Sequence, residues 1–136
     1  MGTRSLTRFI EKYEDGTKEV VTMYKQYDGY PSGFGVELSE FLSKGKVVNG
    51  ISSYDDVVFN GMGCLAAQVV SEFKSGPGGI YLEAPGTKDV GEEYVYEITL
   101  DSTTNELTIR CIEVWTGKTL FEGTPKDMLE FCAVSE

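Results

Sequence analysis

The stretch SLTRFIEKYEDGTKEVVTMYKQY, residues 5–27, decides how the fold begins. Residues 5–13 and 19–27 are rich in β-branched and aromatic side chains, which are typical of strands. The sequence EDGTK lies between these two runs, and Asp-Gly in such a position is a strong signal of a β-hairpin. The chain is therefore predicted to open with two antiparallel strands.

Helix and strand patterns then follow in an order that is typical of an α+β protein. Apolar side chains recur at helical spacing in residues 36–44 and 60–76, and the second segment ends at Gly-Pro-Gly-Gly. Four strand-like runs come next, at residues 80–84, 92–100, 106–115 and 118–123. Residues 124–132 form the last predicted helix, with Thr124 as its cap and Pro125 at its first position. The order ββααββββα predicts a single α+β domain, residues 1–136, with helices packed on one face of an antiparallel sheet.

Charge and composition limit the classes of partner. The net charge of −10 arises from residues 51–136, because residues 1–50 are balanced. An acidic protein repels phosphate backbones, so we expect no direct nucleic-acid partner. No apolar run reaches the length of a membrane helix, and the N-terminus lacks the apolar stretch of a secretory signal. We therefore expect no membrane partner and a cytoplasmic location, which is the host cytoplasm if the protein is viral.

The common catalytic arrangements are excluded by residue type. The chain has no histidine, which removes Ser-His and Cys-His nucleophiles and the commonest zinc ligand. It also lacks a phosphate-binding motif with Gly-Lys-Ser/Thr. Cys64, Cys111 and Cys132 are widely spaced among apolar residues and are predicted to be buried, reduced thiols. We predict no catalytic residue, no metal and no cofactor.

A candidate ligand site is predicted from two loops and the first strand. The stretch KQYDGYPSGFG, residues 25–35, combines aromatic rings with a lysine, an aspartate and turn-forming residues. The stretch APGTKDVGEEY, residues 84–94, is a long polar loop between two strands. The alternative interpretation is that the rings anchor a turn on the core and that the second stretch is an ordinary loop. The predicted ligand-binding residues are Arg4, Lys25, Tyr27, Asp28, Tyr30, Ser32, Thr87, Lys88 and Asp89.

Four stretches carry a resemblance to a known group of proteins. MGTRSLT, QYDGYPSGFG, NGMGCLAAQ and APGTKDVGEEYVYEI together resemble a family of small, largely uncharacterised proteins from bacteria, phages and other large viruses. The resemblance extends from residue 1 to about residue 98 and implies no established activity. A looser similarity in size relates the chain to phage proteins that sequester signalling nucleotides and so block host immunity.

The main functional hypothesis is a non-enzymatic protein that binds a small anionic or nucleotide-like molecule, in the manner of a phage counter-defence protein. One alternative is a protein inhibitor that uses the acidic residues 51–136 to mimic nucleic acid against a host enzyme. The other is a hydrolase whose chain-terminal Thr3 is exposed by cleavage after Gly2. Homo-oligomer formation and a host protein partner both stay open.

Overall fold

The N-terminal hairpin forms as predicted. In the computed structural model, which describes residues 2–48 and 57–134, strand β1 (Ser5–Tyr13) pairs antiparallel with strand β2 (Gly16–Lys25). The strands meet at the Tyr13 and Gly16 pair, so the turn contains only two residues. Strand β2 therefore begins and ends earlier than the predicted run of residues 19–27.

The middle of the chain contains more elements than the sequence patterns predict. A π-helical turn (Pro31–Gly35) leads directly into helix α1 (Val36–Ser43). Strands β3 (Gly45–Val48) and β4 (Val57–Asn60) then form a separate parallel pair before helix α2 (Gly61–Phe73). The predicted order ββααββββα is wrong at this point, because β3 follows α1 after a single residue and β4 leads directly into α2, so no loop sets these short strands apart in the sequence.

The main sheet has six strands in the part of the chain described. Besides the hairpin it contains β5 (Ile80–Glu83), β6 (Tyr94–Asp101), β7 (Leu107–Glu113) and β8 (Lys118–Gly123), in the order β5-β2-β1-β6-β7-β8. Strand β6 pairs with β1 in parallel, whereas the other pairs are antiparallel. The prediction of a wholly antiparallel sheet is therefore wrong. The parallel pairing of β1 with β6 arises from a crossover, because residues 84–93 carry the chain from β5 past the hairpin to β6 instead of turning back beside β5.

The helices pack on one face of this sheet, which confirms the predicted α+β class. Alternate residues of the strands, among them Phe9, Met23 and Ile98, point to the helices and are fully buried. Helix α3 (Pro125–Ala133) contributes to the same core. The buried helix residues of this core are Leu38, Leu42, Met62, Leu65, Ala66, Val69, Met128 and Cys132. The predicted single domain over residues 1–136 stays a prediction.

Local signals at the C-terminal helix act as predicted. The Thr124 hydroxyl accepts a hydrogen bond from the Asp127 amide at 3.1 Å, and Pro125 occupies the first turn. Within the described ranges, no helix is long and apolar enough to cross a membrane.

Candidate functional site

The two faces of the sheet separate the predicted ligand-binding residues. Lys25 is aligned with Ser5 and has the same alternation as Met23, so it lies on the face that carries the helices. Arg8 lies on the opposite face, where its guanidinium donates to the Thr87 carbonyl at 2.7 Å. The loop of residues 84–93 therefore packs on the face away from the helices.

The turn of residues 26–35 is fixed to the core through its backbone. Asp28 has a left-handed φ of 57°, and the Gly29 amide donates to the Thr3 carbonyl at 2.9 Å. The Gly29 carbonyl accepts from the buried Tyr96 hydroxyl at 2.6 Å. Gly29 is packed so closely that an added Cβ would lie 2.6 Å from the Ser5 Cβ. The conformation of this turn is thus set by contacts with β1 and β6.

The aromatic residues of this turn divide into one anchor and two exposed rings. Phe34 is fully buried and makes edge-to-face contacts with Phe73 and Tyr96, at centroid distances of 5.2 and 5.6 Å. Tyr27 and Tyr30 are 56% and 38% exposed. The anchoring interpretation therefore holds for Phe34, whereas the two tyrosines remain accessible to a ligand.

Lys25 and Tyr27 line one cleft, which we call the Lys25 cleft. Its volume is about 310 Å³, at the lower end of the range of roughly 300–1,000 Å³ that is usual for small-molecule sites. The cleft lies between the end of β2 and the segment that joins α2 to β5. Its lining residues are Lys25, Tyr27, Phe73, Ser75, Pro77, Gly78, Gly79 and Ile80.

The cleft contains a cation without a counter-ion. The Lys25 ammonium donates to the Tyr27 carbonyl at 2.5 Å and lies 5.3 Å from the centre of the Phe34 ring. An ammonium has three N–H donors, so two stay available. Among residues 2–48 and 57–134, no carboxylate forms a salt bridge with Lys25, and none lines the cleft. An anion is thus the ligand charge that this cleft favours.

The opposite wall of the cleft is a glycine-rich loop, residues 75–79, that sequence analysis treats only as the end of a helix. The Lys74 ammonium donates to the carbonyls of Gly78 and Ile80, both at 2.8 Å. The Gln26 amide donates to the Gly79 carbonyl at 2.8 Å and joins this loop to the end of β2. The signal that points to the loop in the sequence is the combination of KSGPGG, residues 74–79, with a cation at its first position.

The loop of residues 84–93 uses its polar groups internally. Glu19 accepts hydrogen bonds from the Gly86 amide at 2.9 Å and from Arg8 at 3.3 Å. The Glu92 carboxylate accepts from the amides of Asp89 and Val90 at 3.1 and 2.8 Å. The carboxylates near this loop are therefore engaged in holding its backbone.

Arg4 belongs to the same side as that loop. Its carbonyl accepts from the Glu93 amide at 2.8 Å, and its guanidinium lies against Gly91, where an added Cβ would be 2.6 Å from Nη1. Its Nε is buried without a hydrogen-bond partner in the described part of the chain, as are the hydroxyls of Ser5 and Thr7.

The predicted residues thus fall into three groups. Lys25 and Tyr27 line the cleft. Asp28, Tyr30 and Ser32 are exposed in the adjoining turn, where the Tyr30 hydroxyl donates to Asp28 at 3.4 Å, and they do not line the cleft. Arg4, Thr87, Lys88 and Asp89 lie on the other side of the sheet. A role in ligand binding for the second and third groups stays a prediction.

The two buried thiols are poor candidates for covalent chemistry. All three cysteines are free, and Cys111 and Cys132 are buried as predicted, whereas Cys64 is partly exposed, so the prediction that it is buried is wrong. Burial raises the pKa of Cys111 to about 12 and that of Cys132 to about 11, so both are protonated near neutral pH. In the described ranges, no group of three or more Cys, Asp or Glu side chains could hold a metal ion. The Thr3 hydrolase hypothesis requires cleavage after Gly2 and stays a prediction.

Comparison of the chain with protein-family models, with curated proteins and with solved structures gave no match. Any assignment of function must therefore be argued from the geometry of the clefts.

Proposed function

We propose that this protein binds a small anionic molecule with a flat ring in the Lys25 cleft and does not change it chemically. The observation that carries the proposal is that Lys25 and Tyr27 line one cleft together with Phe73.

Charge supports an anionic ligand. The whole chain has 22 acidic residues against 12 basic ones, yet the cleft is lined by a lysine and by no carboxylate within the residues described. A cation that has no carboxylate partner within the protein can pair with a ligand phosphate or carboxylate through a charge-assisted hydrogen bond. The long-range field of the acidic protein opposes such a ligand, so the contacts inside the cleft must supply the affinity.

Aromatic rings support a ligand with a flat ring. Tyr27 is more than half exposed, and Phe73 is only partly covered by the core. Stacking of a base on an aromatic side chain contributes about 1–3 kcal/mol. Nucleotide-like molecules combine such a ring with an anionic group, which is why we propose this class.

The test is titration of the purified protein with AMP, ADP-ribose and cyclic AMP, followed by NMR and calorimetry. We expect at least one of them to shift the signals of Tyr27, Phe73 and Lys25. Tyr27→Ala should then weaken binding by about 5-fold to 150-fold, the equivalent of one lost stacking contact. Lys25→Gln should weaken it too, whereas Lys118→Gln, at an exposed position in β8, serves as the matched control and should bind as the parent does.

Two results would overturn the proposal. One is that none of the three probes shifts a signal from the cleft. The other is that Lys118→Gln and Lys25→Gln weaken binding equally, since this would reduce the effect to overall charge. Native mass spectrometry of the purified protein would also give the mass of any small molecule that is already bound.

A further inference from the structure

We propose that the loop of residues 75–79 is the phosphate subsite of the Lys25 cleft. In this proposal Lys74 positions the loop. This inference rests on the proposed function and makes the ligand class more specific: a phosphomonoester whose phosphate lies at the glycine loop and whose remainder lies against Tyr27 and Phe73.

In the loop of residues 75–79, backbone carbonyls accept hydrogen bonds while several backbone amides have no acceptor in the described part of the chain. The Gly78 carbonyl accepts from Lys74 at 2.8 Å and from the Ile80 amide at 2.9 Å, and the Gly79 carbonyl accepts from Gln26. The amides of Ser75, Gly78 and Gly79 have no acceptor within residues 2–48 and 57–134, and all three residues line the cleft. At Gly78 and Gly79 the carbonyls are thus occupied and the amides are available, which is the combination that an oxyanion requires.

The backbone of the loop is open to a close approach. Gly78 and Gly79 have φ values of 77° and 79°, a region that residues with a Cβ rarely adopt. A Cβ at Gly79 would meet no atom within 4 Å, and one at Gly78 would meet only the Tyr81 hydroxyl, at 3.7 Å. No side chain therefore crowds the Cα atoms of these two glycines, which leaves room for a tetrahedral oxyanion beside their backbone.

Two lysines surround the loop. Lys25 lies in the cleft, and Lys74 is held by the loop carbonyls and lies 5.5 Å from the centre of the Tyr81 ring. Neither forms a salt bridge with a carboxylate of the described chain. Lys74 also neutralises the partial negative charge of the carbonyls that it binds, and so leaves the amides as the dominant dipoles of the loop.

The test compares four probes on the unaltered protein: AMP, ribose 5-phosphate, adenosine and inorganic phosphate. Backbone amide signals are followed by ¹⁵N NMR. We expect AMP and ribose 5-phosphate to shift the amides of Ser75, Gly78 and Gly79, and adenosine to shift only signals of Tyr27 and Phe73. A response to ribose 5-phosphate equal to that of AMP would identify a sugar phosphate as the source of the phosphomonoester, and a stronger response to AMP would identify a nucleotide.

Lys74→Gln tests the positioning role. We expect it to weaken AMP binding by about tenfold, as for the loss of one charged hydrogen-bonding group, and to leave adenosine binding within about twofold. A purely structural role of Lys74 would weaken both probes alike. Lys118→Gln is again the matched control.

The outcomes separate the two proposals. If AMP and adenosine both shift Tyr27 and Phe73 while the three loop amides stay unmoved, the phosphate subsite is wrong and the cleft proposal stands. If inorganic phosphate shifts the loop amides as AMP does and adenosine does not bind, the phosphate subsite is supported, but the proposal that the cleft binds a flat ring is wrong. If no probe shifts any signal from the cleft, both proposals fail.

Discussion

The two segments that look most alike in the sequence, residues 26–35 and residues 84–93, are used differently by the fold. Both combine glycine, proline and polar residues between structured elements. In the first, the backbone is held by β1 and Tyr96, and the exposed rings and Lys25 are left for other contacts. In the second, Arg8, Glu19 and Glu92 bind the loop backbone.

The difference teaches that neighbours, and not composition, decide whether a polar loop is available for a ligand. The Glu92 carboxylate accepts the amides of Asp89 and Val90 in its own loop, so its orientation is fixed by that loop. The Lys25 ammonium donates one hydrogen bond, to the Tyr27 carbonyl, so two of its N–H groups are available to a ligand. The comparison therefore favours the side of the sheet that carries the helices as the side of the ligand site.

The largest effect that we expect in this comparison follows from Phe34→Ala. Phe34 is fully buried against Phe73 and Tyr96, so its truncation should lower the free energy of unfolding by about 3–5 kcal/mol. The matched control is Tyr30→Ala, four residues earlier in the same turn and 38% exposed. Urea denaturation of both variants measures the difference.

An equal loss of stability in the two variants would contradict the division of the turn into a buried anchor and exposed rings. It would mean that Tyr30 also holds the turn on the core, and the accessible tyrosines would no longer support a ligand site.

Local patterns were sufficient for most of the fold. The Asp-Gly signal predicts the hairpin, and helical spacing predicts that Met62, Leu65 and Val69 are buried, as they are. The parallel pairing of β1 with β6 could not be predicted in this way, because it depends on the route of residues 84–93 across the sheet and not on any local pattern. The strands β3 and β4 were missed because only Lys44 separates β3 from α1 and no residue separates β4 from α2, whereas Gly-Pro-Gly-Gly precedes the equally short β5.

The candidate site was predictable in part, for the same reason. Lys25 and Tyr27 were identified from the aromatic turn itself, which is a local feature. Phe73 and the loop of residues 75–79 join them only because β5 pairs with β2 and brings the end of α2 beside Lys25. Arg4 was grouped with Lys25, but in the hairpin Lys25 is aligned with Ser5, and Arg4, one residue earlier, alternates to the opposite face. This separation depends on the register of the hairpin, which the sequence pattern does not give.

An intermediate effect is expected at alkaline pH, because the thiol of Cys132 lies under the turn of residues 26–35. Its Sγ is 2.8 Å from the position that a Cβ on Gly35 would take, and burial raises its pKa from 9.0 to about 11. The unfolded chain loses this proton near pH 9 and the folded chain near pH 11. The contribution of Cys132 to stability is therefore complete below pH 9 and is lost as the pH rises through about 11.

Cys132→Ala measures that contribution. Between pH 8.5, below the unfolded-state pKa of Cys132, and pH 11, at its folded-state pKa, the parent should lose about 2 kcal/mol more stability than this variant. Cys64→Ala, at a partly exposed position in α2, is the matched control and should lose as much as the parent. Identical pH profiles for the parent and Cys132→Ala would show that the thiol is reached by solvent and that the turn does not cover it.

The smallest expected difference in stability is the one between two glycine variants, one from each segment. Gly29→Ala would place a Cβ 2.6 Å from the Ser5 Cβ and 3.0 Å from the Thr3 carbonyl oxygen, so the turn must shift, at a cost of about 1–3 kcal/mol. Gly86→Ala meets no atom within 4 Å, and its cost of about 1–2 kcal/mol comes from its φ of 85° alone.

Thermal denaturation compares the stabilities of the two glycine variants, and titration with AMP compares their binding. We expect Gly29→Ala to weaken AMP binding through displacement of the neighbouring Tyr27, and Gly86→Ala to leave it unchanged, because the backbone that it strains lies across the sheet from the cleft. If the Gly86 variant were the one that lost AMP binding, the ligand site would have to be moved to the loop of residues 84–93 with Arg4 and Lys88.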